Sequence, residues 1–408
     1  MRLRPLKLTS SASSVFHQSS RFNGITTTSS SPITFSSLLQ RQQRNRVDLL
    51  GICSRLLSSA AVEMMSEFEY ERPADDGEVL EKDAALHLAV TQLSSEFGTG
   101  SMLSLRRFFG SRHAQVIPTG SLKLDLALGI GGLPKGRIIE IFGQEASGKT
   151  TLALHVIKEA QKLGGYCAYV DVENALDPSL AESIGVNTED LLVSHLESAE
   201  SSLSVVDTLI KSGSIDVIVV DSVAALVPQS ELDSVVDGPL PKSQSRLMTQ
   251  ALRKIHSSLG RSQTVLIFIN QVRYKPSDCF GHATQVTCGG SAMKFYPAVR
   301  MKTMKAGLLR NEDEITGVSI CVQVVKNKLA PAMKKAELEI SFGKGITSEA
   351  EVLEMACTHG VISKMIDGYY IEGKLLKDKQ EAEKYLAEND EVLDKLVGAL
   401  RSQLFERR

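Results

Sequence analysis

Gly143-Gln144-Glu145-Ala146-Ser147-Gly148-Lys149-Thr150 fits the pattern G-x-x-x-x-G-K-[ST] at every fixed position. The preceding residues, Arg137-Ile138-Ile139-Glu140-Ile141-Phe142, read as a short buried strand. The following residues, Thr151-Leu152-Ala153-Leu154-His155-Val156-Ile157, open a helix. A glycine-rich turn at such a junction lets backbone N–H groups approach a polyphosphate, and the helix N-terminus adds favourable partial positive charge. Lys149 is expected to reach the β- and γ-phosphates, and the Thr150 hydroxyl to ligate Mg²⁺. The candidate nucleotide-binding residues here are Gly143, Gln144, Glu145, Ala146, Ser147, Gly148, Lys149, Thr150 and Thr151.

Around this loop the pattern is α/β from about residue 116. Strand-like runs occur at 138–142, 167–170, 191–194, 217–220 and 265–269, with helical stretches between most of them. Near-continuous apolar strands alternating with helices predict a mostly parallel sheet covered on both faces. The runs 299–304, 317–325 and 336–341 predict an antiparallel continuation. Gly343-Lys344-Gly345 marks a boundary, after which 346–408 reads as a small mixed module with a hairpin near Gly368-Tyr369-Tyr370. Ahead of the core, 81–97 has helical periodicity with Leu86, Leu88, Ala89, Leu93 and Phe97 as its apolar stripe. That stripe needs a covering surface, for which a neighbouring subunit is a candidate.

Acids and amides stand where a phosphate loop needs them. Asp221 ends the hydrophobic run 217–220 and is expected to hold the Mg²⁺ shell together with Thr150. Glu173 lies just past the run 167–170, at the strand edge where ligands bind in such sheets, and is a candidate to polarise an attacking water. Asn270-Gln271 follows the run 265–269, and an amide there is suited to sensing a γ-phosphate. The segment from Val272 to Gly290 is polar, glycine-bearing and aperiodic, which predicts a functional loop.

Composition bounds the rest. The 408 residues carry a net charge of −2, so nucleic-acid binding requires a local basic groove rather than global charge. The first 62 residues hold eight Lys/Arg against the single acid Asp48 and are rich in serine and threonine. This profile predicts an organellar transit peptide, and the basic amphipathic stretch from Arg41 to Leu57 favours the mitochondrion over the chloroplast. Six cysteines show no C-x-x-C spacing, which argues against a zinc site or a disulfide framework. No apolar run is long enough to span a membrane.

From about Leu86 onward the chain resembles the bacterial-type RecA recombinase and its organellar homologues. The resemblance rests on long phrases in order: Thr119-Gly120-Ser121-Leu122, Gly131-Gly132-Leu133-Pro134, the phosphate loop, Ala175-Leu176-Asp177-Pro178, the run 217–226, Ile267-Phe268-Ile269-Asn270-Gln271-Val272-Arg273, Gly289-Gly290, Lys294-Phe295-Tyr296 and Val324-Val325-Lys326-Asn327-Lys328. It implies a RecA-type P-loop ATPase core, ATP and Mg²⁺ as cofactors, and ATP-dependent filaments on single-stranded DNA that pair with homologous double-stranded DNA and exchange strands. It also implies roles for individual residues. Glu173 resembles the hydrolytic glutamate, Asp221 the Mg²⁺-shell aspartate, Asp177 the adenine contact and Gln271 the γ-phosphate sensor. Lys326 and Lys328 resemble lysines that reach ATP across a subunit interface, and Lys294 and Phe295 resemble interface residues.

The DNA loops implied are 231–245 and 273–291. The contact candidates are Arg246, Thr249 and Arg253 on a helix after the first loop, and Arg273, Lys275, Thr284, Thr287, Gly289 and Gly290 in the second. The expected organisation is a leader (1–62), a linker (63–82), an oligomerisation segment (83–115), the ATPase core (116–345) and a C-terminal domain (346–408). Organellar single-strand-binding and mediator proteins are further expected partners.

The chain departs from the family at several places. Leu180 stands where a tyrosine usually stacks on adenine. The second loop is about one residue longer, with Cys288 before its glycine pair. Pro239 and Pro241 stiffen the first loop. The sequence ends Leu404-Phe405-Glu406-Arg407-Arg408 without the family's acidic tail, which implies less autoinhibited loading on DNA. Three other classes share such a loop: a ring-forming motor, a nucleotide-gated scaffold and a small-molecule kinase. The N-terminal helix and loop phrases argue against the first. The intact Lys149, Glu173 and Asp221 argue against the second, and the lack of a lid-like arginine cluster against the third.

Overall fold

Strands whose every residue is apolar must be covered on both faces, and this requirement organises the molecule. The computed structural model describes residues 77–97, 115–233, 243–275, 284–311, 314–365 and 368–405. The expected leader lies outside the described residues, as do 234–242 of the first expected DNA loop and 276–283 of the second. The chain divides into two units, 1–108 and 109–408. In the first, the described residues form a helix spanning Gly77–Phe97, four residues earlier at its start than the periodicity suggests, and Leu86 and Leu88 on it are about half exposed.

In the second unit, β1 (Val116–Ile117) pairs with β2 (Leu133–Pro134). The main sheet comprises β3 (Ile138–Gly143), β4 (Tyr166–Asp171), β5 (Leu191–Ser194), β6 (Ile215–Asp221), β7 (Val265–Lys275), β8 (Thr284–Thr287), β9 (Val299–Asn311), β10 (Glu314–Asn327), β11 (Lys335–Ser341) and β12 (Gly345–Ile346). Its order is β12-β11-β10-β9-β3-β7-β6-β4-β5, with β8 added to β7. Strands β9, β3, β7, β6, β4 and β5 are mutually parallel. Antiparallel pairing runs from β9 through β10 and β11 to β12. The antiparallel extension therefore begins one strand later than the sequence suggests, because the run at 299 first pairs parallel with β3.

Alternating side chains of one strand feed two cores. Ile139, Ile141, Val217 and Val219 pack with Leu152, Val156 and Ile157 of the helix Lys149–Lys162. Ile138, Ile218, Val220 and Phe268 pack on the other face with Val206 and Ile210 of Ala199–Ser212 and with Met248, Leu252 and Ile255 of Ser243–Leu259. Truncating any of the leucines, isoleucines or Met248 among these to alanine costs about 2–5 kcal/mol.

The C-terminal part forms a third core from Glu349–Thr358, Lys379–Glu388, Asp390–Phe405 and the small sheet β13 (Ser363–Met365), β14 (Gly368–Ile371) and β15 (Lys374–Leu376). Two buried carboxylates attach it. Glu351 accepts from Ser121 Oγ at 2.9 Å and from the Lys123 N–H, while Arg401 donates to Asp125 and to the Gly131 carbonyl. Leu122, on the helix Leu122–Leu128, contributes to this core.

His155 joins the phosphate-loop helix to β12. It is 4 % exposed, and its Nε2 accepts from the Ile346 N–H at 2.7 Å, so the ring is neutral with its proton on Nδ1. Burial pushes its pKa down from 6.5 to about 3, with Lys158 adding to the effect. The unfolded chain thus binds a proton below pH 6.5 that the folded chain refuses until about pH 3, so this residue costs stability as pH falls through that window. Relative to His155→Gln, wild-type unfolding free energy is expected to drop by up to about 1.4 kcal/mol per pH unit below the upper limit. Denaturant titrations between pH 4 and 8 check this, and a pH-independent difference would contradict it.

Candidate functional site

The strand register brings the predicted residues to one edge. β3 ends at Gly143, and Gly143 stands opposite Gln271 of β7. Asp171, the last residue of β4, stands opposite Asp221, the last residue of β6. The loop 143–150 then turns into the helix Lys149–Lys162, whose N-cap, Gly148, has φ 75° and makes no side-chain cap. The first N–H groups of that helix remain open to an anion. Only glycine suits position 148, since the conformation is left-handed and a Cβ would meet Ile340. Gln144, Glu145 and Ala146 are exposed on the loop, whereas Ser147 is buried and Thr151 half-buried.

Lys149 Nζ donates to the Gln144 carbonyl at 2.7 Å. Burial pushes its ammonium below the ordinary lysine value, opposed by the charges of Asp221, Glu173 and Glu145. Asp221 Oδ2 accepts from Thr150 Oγ1 at 2.8 Å and from Tyr169 Oη at 2.7 Å. Burial pushes this carboxyl up; the two hydrogen bonds oppose the rise, and nearby Glu173 and Asp171 add to it. A divalent cation would relieve that strain, and the paired hydroxyl and carboxylate are hard oxygen donors of the type Mg²⁺ takes beside phosphate oxygens. Among the described residues there is no cluster of three or more His, Cys, Asp or Glu suited to a protein-only metal cage.

Glu173 extends past β4, where its Oε1 accepts from Ser222 Oγ and from Gln271 Nε2, the latter at 2.9 Å. The carboxylate is thereby aimed and tied to the neighbouring strand. Gln271 is not beyond its strand as the sequence suggests. β7 continues to Lys275, because the alternation Val272-Arg273-Tyr274-Lys275 pairs with β8, and residues 273–275 and 284–287 of the expected loop 273–291 are ladder rather than irregular chain.

Asp177 serves as the N-cap of Pro178–Ile184, its Oδ1 accepting from the Ser179 N–H at 2.9 Å. Leu180 packs against the core, so no side chain stands free to stack there.

The DNA candidates fall into two groups. Arg246 and Arg253 are exposed on Ser243–Leu259, and Thr249 Oγ1 donates to the Ser245 carbonyl. Arg273 is exposed on β7, with Lys275 and Thr284 paired at the far end of the ladder. Gly289 and Gly290 both have φ near 80°, and a Cβ at Gly290 would strike Ser245. The two segments therefore pack directly on each other. Thr287, a further DNA candidate, sits deeper than the others. At the base of the ladder, opposite Val272, its hydroxyl is buried beside the Glu140 carboxyl without a well-formed hydrogen bond of its own.

Lys326, Lys328, Lys294 and Phe295 lie at the opposite edge of the sheet. Asn327 pairs with Val299, and Val299 pairs with Ile139 near the start of β3. Thr303, four residues further along β9, is the one beside Gly143. That separation is about 13 Å along the strand. Lys326 Nζ donates to the carbonyls of Lys294 and Phe295 at 2.8 and 2.9 Å, and Phe295 is 70 % exposed. Burial, with Lys328 and Arg300 nearby, pushes Lys326 below its ordinary value.

Several contributors were not anticipated. Tyr169 and Ser222 hold the two carboxylates, and Glu140, paired with Arg300 and Asn270, ties β3, β7 and β9 together. Asn270 Nδ2 also donates to the Cys288 carbonyl at 3.0 Å, anchoring the exit of the second loop. Their sequence signals were a tyrosine and a glutamate inside otherwise apolar runs, where a polar tip needs a partner.

This arrangement defines a phosphate-loop nucleotide-binding protein on a mostly parallel sheet. The RecA N-terminal domain family matches residues 84–347. The chain is 51% identical over 325 residues to the DNA repair protein recA homolog 3, mitochondrial, of Arabidopsis thaliana, covering 79% of this chain and 76% of that one. It is 44% identical over 327 residues to Protein RecA of Nitrobacter winogradskyi (80% and 90% covered) and 46% identical over 323 residues to Protein RecA of Brucella anthropi (79% and 89%). The chain belongs to the RecA family, the DNA-dependent ATPases of recombination and repair.

Replacing Tyr169 with Phe removes one donor to Asp221 and leaves the ring in place. The divalent-cation concentration for half-maximal ATP hydrolysis is expected to rise about tenfold, with nucleotide KM little changed. An unaltered cation dependence would mean that Thr150 alone positions the carboxylate.

Proposed function

We propose that this chain is an organellar, ATP-dependent strand-exchange protein that assembles as a helical filament on single-stranded DNA and pairs it with homologous duplex. The observation that carries the reading is the opposition of the two sheet edges. Lys326 and Lys328 are too far from their own phosphate loop to serve it, yet their cations and the exposed Phe295 suit the phosphate loop of a neighbouring copy. A head-to-tail contact of that kind repeats from copy to copy and generates a filament when its rotation does not close.

In this reading Lys149 and the open helix N-terminus bind the polyphosphate of ATP. Thr150 and Asp221 would hold Mg²⁺, which would supply positive charge against the polyphosphate. Glu173, oriented by Ser222 and Gln271, accepts a proton from the attacking water. Gln271, on the strand that enters the second DNA segment, reports the γ-phosphate to it. Lys326 and Lys328 supply cationic stabilisation across the interface, as an arginine finger does in trans. Arg246, Arg253, Arg273 and Lys275 contact DNA phosphates, with Gly289 and Gly290 allowing close approach. Base pairing itself tests homology, so no base-reading side chain is required.

The basic, acid-poor leader and the relative named mitochondrial support a mitochondrial address. The stripe on Gly77–Phe97 is assigned to subunit contact, and the C-terminal module to duplex capture. Single-strand-binding and mediator proteins of the organelle are the expected accessory partners.

Mixing two inactive variants tests the interface. Lys149→Ala lacks the phosphate-loop lysine and Lys326→Ala the one supplied in trans. Each alone is expected to hydrolyse ATP poorly on single-stranded DNA. An equimolar mixture is expected to regain roughly a quarter of wild-type activity, since a random filament restores that share of head-to-tail interfaces. No recovery on mixing, or full activity of Lys326→Ala alone, would refute cross-subunit chemistry.

A further inference from the structure

Tyr274 has none of the roles assigned above and the Gln144 side chain has none beyond its place in the phosphate loop, yet the two join that loop to the proposed second DNA segment. Gln144 Nε2 donates to Tyr274 Oη at 3.0 Å. Tyr274 lies on β7, three residues after Gln271, and its hydroxyl also accepts from Gln285 Nε2 at 2.9 Å. Gln285 is the direct ladder partner of Tyr274 on β8. Its Oε1 in turn accepts from Lys302 Nζ at 2.8 Å.

The chain of contacts closes on the loop where it began. Thr303, the residue after Lys302, exchanges a 2.7 Å hydrogen bond with Ser147 Oγ. Ser147 Oγ is also within 2.7 Å of the Gln144 carbonyl, which the Lys149 ammonium engages at the same distance. One residue therefore serves both sides. The main-chain oxygen of Gln144 holds the lysine that binds polyphosphate, and its side-chain amide holds the stem of the 273–291 segment. A polyphosphate on the loop competes with the Gln144 carbonyl for Lys149, and any resulting shift of the Gln144 backbone is felt at Tyr274. Exposed hydrogen bonds such as these add little to stability. Their consequence lies in linking two binding sites, because a contact that differs between nucleotide states necessarily couples the two affinities.

We propose that Gln144–Tyr274–Gln285–Lys302 is a second coupling path, parallel to the Gln271–Glu173 bond, through which nucleotide on the phosphate loop sets the DNA affinity of the 273–291 segment. The proposal rests on the recombinase reading and identifies Gln144 and Tyr274 as positioning residues. Neither touches the reacting atoms.

The test measures affinity of the full chain for a labelled single-stranded oligonucleotide by anisotropy, once with a slowly hydrolysed ATP analogue and once with ADP. The readout is the ratio of the two affinities in wild type, Tyr274→Phe, Gln144→Leu and the double variant. Each single variant is expected to shrink the ratio about 3- to 10-fold, the range one hydrogen bond carries. The double is expected to shrink it no further, as members of one path are non-additive. Singles with the wild-type ratio, singles that weaken both affinities equally, or additive effects in the double would overturn the proposal. A wild-type ratio near unity would instead remove the recombinase reading itself and the proposal with it, which keeps the two failures apart.

Discussion

Parallel pairing of β3 with its neighbours is the constraint on which the site depends. Because β3, β7, β6 and β4 run in one direction and pair in register, Gly143, Gln271, Asp221 and Asp171 come to one edge. The same register has a second consequence. Strand β10 returns antiparallel beside β9, so its last residues finish at the other edge. A sheet of this order cannot bring Lys326 back to its own phosphate loop. The trans role proposed for Lys326 rests on that separation.

Electrostatics complete what register begins. Glu173 and Asp171 lie close to Asp221, whose carboxyl burial pushes up and whose rise their charges add to. Lys149, partly buried among them, is pushed down. Cation and acids are each discharged by a ligand that brings both signs, and a polyphosphate with a divalent cation does so. Tyr169, Thr150 and Ser222 hold the acids in place meanwhile. Preorganised donors of this kind cost no reorganisation at the moment of reaction.

Much of this was legible in the sequence because it is local. The phosphate loop is contiguous, and its strand and helix are signalled by apolar runs of the correct period. The positions of Asp221 and Glu173 were legible because the first ends such a run and the second lies just past one. What escaped was what pairing alone determines. The alternation in 272–275 is too short to separate from polar loop, and only the β8 partner makes it strand. Thr287 reads as a polar loop residue, but its position opposite Val272 turns it inward beside Glu140. The contacts of Tyr169 with Asp221 and of Gln144 with Tyr274 span 52 and 130 residues, and no periodicity encodes them.

The most direct measurement is the rate of ATP hydrolysis by the purified protein with and without single-stranded DNA, beside Lys149→Ala. Strong stimulation by DNA that disappears in the variant is expected, because β7 runs uninterrupted from Gln271 to Lys275, the start of the proposed DNA segment. Hydrolysis that ignores DNA would contradict it, since the two loops would then be neither DNA sites nor coupled to the nucleotide.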